Sequence, residues 1–260
     1  MPDDQHLLIE AARAGGALAR RYFENGAKSW TKNGHEPVSE ADMAVDALLH
    51  ERLAGTRRAY GWLSEETEDN PARLTRQRVW VVDPIDGTRA FLKGKPHFTI
   101  SIALVEDGAP VLAAVYNPIR EELFTARRGA GAWLNDTPVH ISQRADLAHC
   151  RMLAHDYYFK PGKWRDPWPA MTLGMVNSIA YRLAMVGAGH YDACLTLRPK
   201  SDWDIAAGDL IVSEASGCCT DGAGRRFVYN QPTPTHRNVI AANPALHRQI
   251  IAKIAAGKSD

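Results

Sequence analysis

The segment RVWVVDPIDGTRAF, at residues 78–91, contains the pattern that decides the fold of this chain. Residues 79–82 are a run of strand-favouring residues without polar alternation, which is typical of a strand buried on both faces. Pro84 lacks the backbone N–H that a sheet ladder needs, so we expect the chain to leave the sheet there. Asp83 then lies at the strand's end and Asp86 on the exit turn, where both carboxylates can converge on a hard cation.

The residues that follow this strand suit a phosphate as well as a metal. The backbone carbonyl of Ile85, between the two aspartates, offers a further oxygen ligand. Gly87 allows close backbone approach, the amides of Gly87 and Thr88 can donate to a phosphate oxygen, and the Thr88 hydroxyl can orient a water. The alternative is a capped turn with two solvated aspartates. The buried strand before the aspartates and the Gly-Thr pair after them favour a metal and phosphate site.

Length and composition exclude several classes of protein. The chain has 260 residues, which fits one large domain or two closely packed ones. Its net charge of +1 provides no basic field for a nucleic acid polymer. No Cys-x-x-Cys pair occurs among its four cysteines, which we expect to be reduced thiols in the core. We predict a cytoplasmic protein, because the N-terminus has no signal-like pattern and no apolar run approaches the ~18 residues of a membrane span.

The first part of the chain predicts two helices joined by a polar connection. Apolar residues recur at helical spacing over residues 4–24. Residues 28–38 are expected to be irregular. Ser39-Glu40-Ala41-Asp42 has the form of a capping box that opens a helix to about Ala54, so a cap alone could account for Asp42.

A second apolar run ends in carboxylates shortly before the first one described. Residues 60–63 read as a strand, and acidic side chains that include Glu65 follow at once. A solvated acidic loop is the ordinary explanation, but two such strand ends within about twenty residues favour shared ligation of a cation. Alternating residues and turn signals over residues 98–126 then predict an antiparallel meander.

The second half of the chain has an alternating α/β pattern. Residues 144–176 show no clear pattern, and a helix is predicted over residues 178–186. A strand at 191–197 leads to a helix with Asp204 as its N-cap, which alone could explain that aspartate. A strand at 239–242 and a last helix at about 244–256 follow. We divide the chain into an N-terminal α+β half, 1–143, which carries Glu65, Asp83 and Asp86, and a C-terminal α/β half, 144–260, which contributes Asp204.

Three motifs together resemble the inositol monophosphatase-like superfamily of magnesium-dependent, lithium-sensitive phosphatases. They are SEE at 64–66, DPIDGT at 83–88 and WDIAAG at 203–208, in the order that the family has them. EPVSEAD at 36–42 also matches the family's Asp-Pro-Val-Thr-x-x-Asp stretch, with an acid and a hydroxyl retained at the two positions that differ. The resemblance implies a layered α-β-α-β-α sandwich, as in fructose-1,6-bisphosphatase, with the site between its halves.

The resemblance also implies the chemistry. Clustered magnesium ions, two to three in number, would bind phosphate oxygens and acidify a water for in-line attack, without a covalent phosphoenzyme. The haloacid-dehalogenase phosphatases differ, because the two acids of their strand-end motif are two residues apart rather than three. By resemblance the magnesium ligands are Glu65, Asp83, Ile85, Asp86 and Asp204. The catalytic residues are Glu65, Thr88 and Asp42.

The substrate is predicted to be a small phosphate ester. Leu197 stands where inositol monophosphatases carry a glutamate that contacts inositol hydroxyls, whereas Arg182, Arg198 and Lys200 suit a second phosphate. The resemblance is therefore strongest to bacterial 3′(2′),5′-bisphosphate nucleotidases, with inositol phosphate and histidinol phosphate as alternatives. A catalytically weak binding protein and a homodimer, which is common in the family, also stay open. The expected substrate contacts are Gly87, Thr88, Ser178, Arg182, Arg198, Lys200 and Asp204.

Overall fold

The computed structural model describes residues 3–32 and 36–257, and its helices lie in three separate layers. The helices predicted from the sequence are present, with bounds that differ by one to three residues. No helix within the described ranges is both long and apolar enough to cross a membrane. The helices are α1 (Asp4–Asn25), α2 (Glu40–Leu53), α3 (Thr88–Phe91), α4 (Ile179–Gly187), α5 (Asp202–Glu214) and α6 (Pro244–Ala255), and the 3-10 turns are Pro71–Thr75 and Asp156–Phe159.

The strands form two main sheets and two small pairs. They are β1 (Ser29–Lys32), β2 (Glu36–Ser39), β3 (Gly61–Ser64), β4 (Arg78–Asp86), β5 (Thr99–Glu106), β6 (Ala109–Asn117), β7 (Glu122–Arg127), β8 (Gly131–Leu134), β9 (Thr137–Pro138), β10 (Arg151–Leu153), β11 (Thr172–Gly174), β12 (Ala193–Thr196), β13 (Lys200–Ser201), β14 (Cys218–Thr220), β15 (Thr235–His236) and β16 (Val239–Ala242). The large sheet has the order β3-β4-β5-β6-β7-β8-β9, and the second has the order β11-β10-β12-β16-β14. In the large sheet β3 runs parallel to β4, and the other neighbours are antiparallel.

The alternation of β4 separates two hydrophobic cores. Trp80 and Val82 pack with α1 and α2 on one face of the large sheet, whereas Val79 and Val81 pack with α4 and α5 on the other. The second sheet covers the far side of α4 and α5, and α6 packs on its outer face. All four cysteines are free thiols; Cys150, Cys194 and Cys219 lie in the core as predicted, whereas Cys218 is only half-buried. These layers confirm the predicted α-β-α-β-α sandwich.

Strand β4 continues beyond Pro84, and the expectation that the chain leaves the sheet there is wrong. The β4–β5 ladder shifts register between Asp83 and Asp86, and Asp86 pairs again with Thr99. A bulge leaves the intervening residues outside the regular ladder, so the missing N–H of proline costs no hydrogen bond. Asp86 is therefore held on the sheet rather than on a loose exit turn.

The connection predicted to be irregular contains a short antiparallel pair. Ser29 of β1 pairs with Ser39 of β2, and Lys32 pairs with Glu36. The prediction was wrong for these two strands, because their residues, half of them exposed, lack the apolar alternation that signals a strand. Residues 33–35 of the predicted connection lie outside the described residues.

Candidate active site

The parallel pairing of β3 with β4 brings two acidic strand ends together. Ser64 lies opposite Val82, and the Glu65 N–H donates to the Val82 carbonyl at 3.3 Å. Glu65 therefore follows β3 at the edge where Asp83 leaves the regular part of β4. Asp83 is only 2% exposed, and one of its oxygens accepts the Ile85 N–H at 3.1 Å.

Helix α4 meets the second aspartate of β4 through its N-cap. The Ser178 hydroxyl and the Ala180 N–H donate to one oxygen of Asp86, at 2.7 and 2.6 Å. Ser178 also accepts the Tyr181 N–H at 2.9 Å, which caps the helix. Ser178 is fully buried behind Asp86. Ser178, which was expected to contact the substrate, is therefore bonded to an aspartate of the acidic cluster in this structure.

Asp204 reaches the cluster from the first turn of α5. The N-cap of this helix is Ser201 and Asp204 is N3, so the predicted N-cap assignment is wrong by three residues. Asp204 accepts the Ser201 N–H at 2.7 Å, as the acid of a capping box does, and Lys200 lies 3.6 Å from its other oxygen. The Trp203 carbonyl accepts the Ser101 hydroxyl at 3.2 Å, which ties this turn to β5.

Three carboxylates that meet at the base of the cavity form a candidate metal centre. Oxygens of Asp83, Asp86 and Asp204 lie within 4.8 Å of one another. Burial raises the pKa of Asp83 well above its usual value, and the charges of Glu65, Asp86 and Asp204 raise it further. Burial and the charge of Asp204 raise the pKa of Asp86 to about 7. Because buried, mutually repelling carboxylates gain from a bound cation, this donor set fits magnesium.

The raised pKa values predict how the metal-free protein responds to pH. A carboxyl whose folded pKa lies above its unfolded pKa contributes stability below the unfolded pKa and loses it as pH rises through the folded value. For Asp86 that loss is centred near pH 7. In EDTA, the melting temperature should therefore be higher at pH 6 than at pH 8, by ~5 °C.

Thermal melts at pH 6, 7 and 8, with EDTA or with magnesium, would measure this effect. Magnesium should raise the melting temperature most at pH 8, where protons compete least for the carboxylates. Asp86→Asn should flatten the slope in EDTA. A metal-free melting temperature that falls from pH 8 to pH 6 would contradict the assignment of repulsion to this cluster.

Thr88 and Asp42 form a hydrogen-bonded pair beside the cluster. Oγ1 of Thr88 lies 3.0 Å from an oxygen of Asp42 and 3.1 Å from the Ile85 carbonyl. The other oxygen of Asp42 accepts the N–H and hydroxyl of Ser39, at 2.8 and 2.6 Å. The predicted capping box is thus confirmed. It does not exhaust the contacts of Asp42, whose pKa is raised by burial.

The glycine before Thr88 permits a close approach of three segments. Gly87 has φ +100°, and a Cβ there would meet the His97 carbonyl at 2.7 Å and the Ser178 nitrogen at 3.1 Å. An L side chain would therefore be both strained and crowded at this position. Gly87 is needed to bring β4, the end of the following loop and the N-cap of α4 to the same place.

Lys32 is a site residue that no local pattern in the sequence indicates. Its ammonium group donates to Glu65 at 3.0 Å and to Glu66 at 2.8 Å. Burial lowers the pKa of Lys32, but the two carboxylates outweigh that effect and raise it. The pKa of Glu65 is raised, chiefly by burial. The charge of Lys32 opposes this shift and the charge of Asp204 adds to it. A cation bound by Glu65 would have to compete with Lys32.

A cavity of about 760 Å³ joins the acidic cluster to the predicted substrate contacts. Arg182, Arg198 and Lys200 line it together with the three aspartates, Gly87 and Thr88. Residues 144–176, which had no readable pattern, contribute His155, Tyr158 and Met175. No periodicity in the sequence could have assigned these side chains to the site, because they lie on short irregular segments.

Comparisons with known proteins give the chain a family context. Residues 4–259 match the model of the inositol monophosphatase family. A histidinol-phosphatase from Chlorobaculum parvum is 31% identical over 267 residues, covering 100% of both chains. An inositol-1-monophosphatase from Rhizobium meliloti is 35% identical over 230 residues, which are 84% of this chain and 85% of that protein. The crystal structure of the extragenic suppressor protein suhB from Bartonella henselae has a TM-score of 0.82 and 30% identity, covering 96% of this chain and 97% of that one.

Proposed function

This chain belongs to the inositol monophosphatase family and is a magnesium-dependent phosphatase; we propose that it hydrolyses a nucleoside 3′(2′),5′-bisphosphate to a monophosphate and phosphate. Adenosine 3′,5′-bisphosphate is the proposed substrate. The observation that carries this proposal is the position of Arg182, Arg198 and Lys200 in the wall of the cavity that contains the acidic cluster. Guanidinium and ammonium groups there can bind a second phosphate while the first is at the metal centre.

The acidic cluster would hold two to three magnesium ions. Asp83, Asp86 and Asp204 are the proposed central ligands, because their oxygens lie within 4.8 Å of one another. Glu65 and the Ile85 carbonyl would complete the set. Oxygen donors of this kind are those that magnesium prefers.

The cluster also supports our proposed division of the chain into the halves 1–143 and 144–260. Asp83 and Asp86 come from the first half and Asp204 from the second. The metal centre would therefore join the two halves.

The proposed catalytic residues are those that can orient a water and take up its proton. Bound magnesium would supply Lewis-acid charge to the phosphate and lower the pKa of a water. Because the Thr88 hydroxyl can donate to Asp42, 3.0 Å away, its oxygen is free to accept a hydrogen bond from that water. Glu65, across the cluster, is the proposed second acceptor for the water's protons. We assign the role of positioning Thr88 to Asp42.

The charge of the cavity favours a polyanionic substrate once metal is bound. Among the described residues, five cationic side chains and five carboxylates line it, so two divalent cations would leave an excess of positive charge. The cationic residues are Lys32, Arg89, Arg182, Arg198 and Lys200. The acidic residues are Glu36, Glu65, Asp83, Asp86 and Asp204.

Arg198 is the most informative of the three proposed phosphate contacts. Arg182 is buried, and its side chain donates to the Val176 carbonyl. Lys200 lies 3.6 Å from Asp204, so its replacement would also disturb the metal centre. Arg198 is exposed and makes no hydrogen bond or ion pair with the rest of the described chain. Its replacement therefore tests substrate binding with little effect on folding.

We expect Arg198→Met to lower kcat/KM for adenosine 3′,5′-bisphosphate at least ~10-fold and for inositol 1-phosphate much less. A charge-assisted hydrogen bond to a phosphate contributes ~1.5–3 kcal/mol, which only the bisphosphate would lose in full. The wild-type protein should also prefer the bisphosphate. Phosphate release should require magnesium and be absent in EDTA, whereas a catalytically weak binding protein would release none.

Arg248→Met, on the exposed surface of α6, is the matched control and should leave kcat/KM unchanged for both substrates. The nucleotidase proposal would be lost if the wild type favoured inositol 1-phosphate, or if Arg198→Met lowered both substrates equally. The chain would then be assigned only as a phosphomonoesterase of broader specificity.

Histidinol phosphate is the second candidate substrate. It is favoured by the similarity to a histidinol-phosphatase over the whole chain. Its ammonium group would lie unfavourably near the three cationic side chains of the cavity, which is why we place it second. Including histidinol phosphate in the same kinetic comparison would distinguish the two.

A further inference from the structure

Two aromatic side chains form part of the cavity wall outside the acidic cluster. His155 and Tyr158, at the 3-10 turn Asp156–Phe159, both line the cavity with Arg198 and Met175. The ring centroids of His155 and Tyr158 are 6.1 Å apart, with the planes tilted by 52°. Neither side chain has a role in the proposed hydrolysis.

Tyr158 is held both at its ring hydroxyl and at its backbone. Its hydroxyl accepts the N–H of Leu197 at 3.2 Å, and its carbonyl accepts the indole N–H of Trp164 at 2.6 Å. The ring is half-buried and packs against the core beneath the second sheet, whereas His155 is more exposed at the rim. Tyr158 is thus a rigid apolar surface next to Leu197, and a rigid aromatic surface binds a planar ring at little entropic cost.

We infer that His155 and Tyr158 are specificity-determining residues that stack against a planar heteroaromatic ring on the alcohol that leaves. This inference rests on the proposed phosphatase site and deepens it, since it names the class of leaving group. A nucleobase and an imidazole share the required chemistry. A polyol does not fit as well, because the lining offers ring faces and the thioether of Met175 here, and Leu197 adds no polar side chain.

Four substrates separate the contribution of the base from that of the second phosphate. They are adenosine 3′,5′-bisphosphate, adenosine 3′-phosphate, and the two corresponding 1-O-methyl ribosides that lack the base. Stacking should give the base-bearing member of each pair a kcat/KM about tenfold higher. The second phosphate should separately raise kcat/KM in each bisphosphate relative to its monophosphate, through its contact with Arg198. Failure of the nucleotidase proposal would remove the phosphate effect alone, and failure of the stacking inference would remove the base effect alone.

Variants then locate the base effect. His155→Leu and Tyr158→Leu should each reduce it, and Tyr158→Phe should retain it because the ring remains. Tyr157→Leu is the control for disturbance of the turn, since Tyr157 packs edge-on against His155 with ring centroids 6.4 Å apart but does not line the described cavity, and it should leave the base effect largely unchanged. Circular dichroism would verify folding. His155→Leu keeps the test valid if Tyr158→Leu does not fold, because His155 is exposed.

A second readout compares competing ligands rather than the turnover of different substrates. Inhibition by adenosine 5′-phosphate should be about tenfold stronger than inhibition by ribose 5-phosphate, and Tyr158→Leu should reduce the difference. Histidinol phosphate and its analogue with an alkyl group in place of imidazole test the other ring. Dependence on His155 and Tyr158 for the imidazole pair alone would keep the stacking inference and assign it to imidazole. No advantage for either ring in the wild type, or an advantage unaffected by these variants, would overturn the inference.

Discussion

Asp83→Asn is expected to lower turnover at least ~10³-fold while leaving the protein folded. Electrostatic stabilisation by a bound metal contributes several kcal/mol to the transition state, and each 1.36 kcal/mol is about tenfold in rate. Asp83 is the proposed ligand shared between metal ions, so a neutral amide would weaken more than one. Without metal, the free energy of unfolding should be unchanged or higher. Asp83 is buried beside Glu65, Asp86 and Asp204, and removing its charge relieves their repulsion.

Asp192→Asn is a matched control with the opposite expected pattern. Asp192 is also buried, but it lies away from the cavity and is bonded to Ser142, Arg144 and Arg151. Burial would raise the pKa of Asp192, yet hydrogen bonds from Arg151 and Ser142 outweigh it and hold the pKa below its usual value. Its carboxylate therefore stabilises the fold above the unfolded pKa, and that stability is lost as pH falls through the lower folded pKa.

At neutral pH, Asp192→Asn should lower the free energy of unfolding but keep most of the activity. Denaturant titrations in EDTA and rates over a range of magnesium concentrations would measure both quantities for the two variants. Near-wild-type activity of Asp83→Asn at moderate magnesium would contradict its assignment as a shared ligand.

The sequence predicted the elements whose pattern is strong and whose signals are local. Residues 79–82 have the apolar run of a strand between two cores, and the structure buries them on both faces. The capping box at Ser39 was predicted because its residue types lie three positions apart. Both features depend on neighbours in the chain, and both are present.

The features that could not be predicted depend on long-range contacts. Asp204 was assigned to the N-cap of α5, but the pairing of Lys200 with His236 in β13 and β15 places the helix start three residues earlier. The approach of Lys32 to Glu65 needs the β1–β2 pair, which has no apolar alternation. No short-range pattern contains this information.

The sequence predicted that the three aspartates lie close together, but it did not predict the cavity wall around them. Asp83, Asp86 and Asp204 are more than a hundred residues apart at the extremes, yet the motifs carrying them predicted that they meet, and their oxygens lie within 4.8 Å. The cavity wall from residues 144–176 was missed because irregular segments acquire their positions from packing, as Tyr158 does from Leu197 and Trp164.

Thr88→Ala is expected to lower kcat by ~10²-fold or more, with only a small change in magnesium affinity. A positioned general-base contact contributes ~10²–10⁴-fold, and the Thr88 hydroxyl is the proposed contact to the attacking water. The hydroxyl is bonded to Asp42 at 3.0 Å and lies 3.1 Å from the Ile85 carbonyl. Because the Ile85 carbonyl belongs to the backbone, it stays available as a metal ligand when the hydroxyl is removed.

Two further replacements distinguish a water contact from a structural role of Thr88. Thr88→Ser keeps the hydroxyl and should restore most of the rate, whereas Thr88→Val keeps the shape and should be as slow as Thr88→Ala. Asp42→Asn should slow the reaction as well, since it weakens the acceptor that directs the Thr88 proton away from the water. Magnesium affinity, measured from the metal-induced rise in melting temperature, should be similar for wild type, Thr88→Ala and Thr88→Val. Equal losses of rate and magnesium affinity would instead make Thr88 part of the metal centre. Removing a metal-centre residue weakens magnesium binding as much as it slows the reaction, whereas removing a water contact does not.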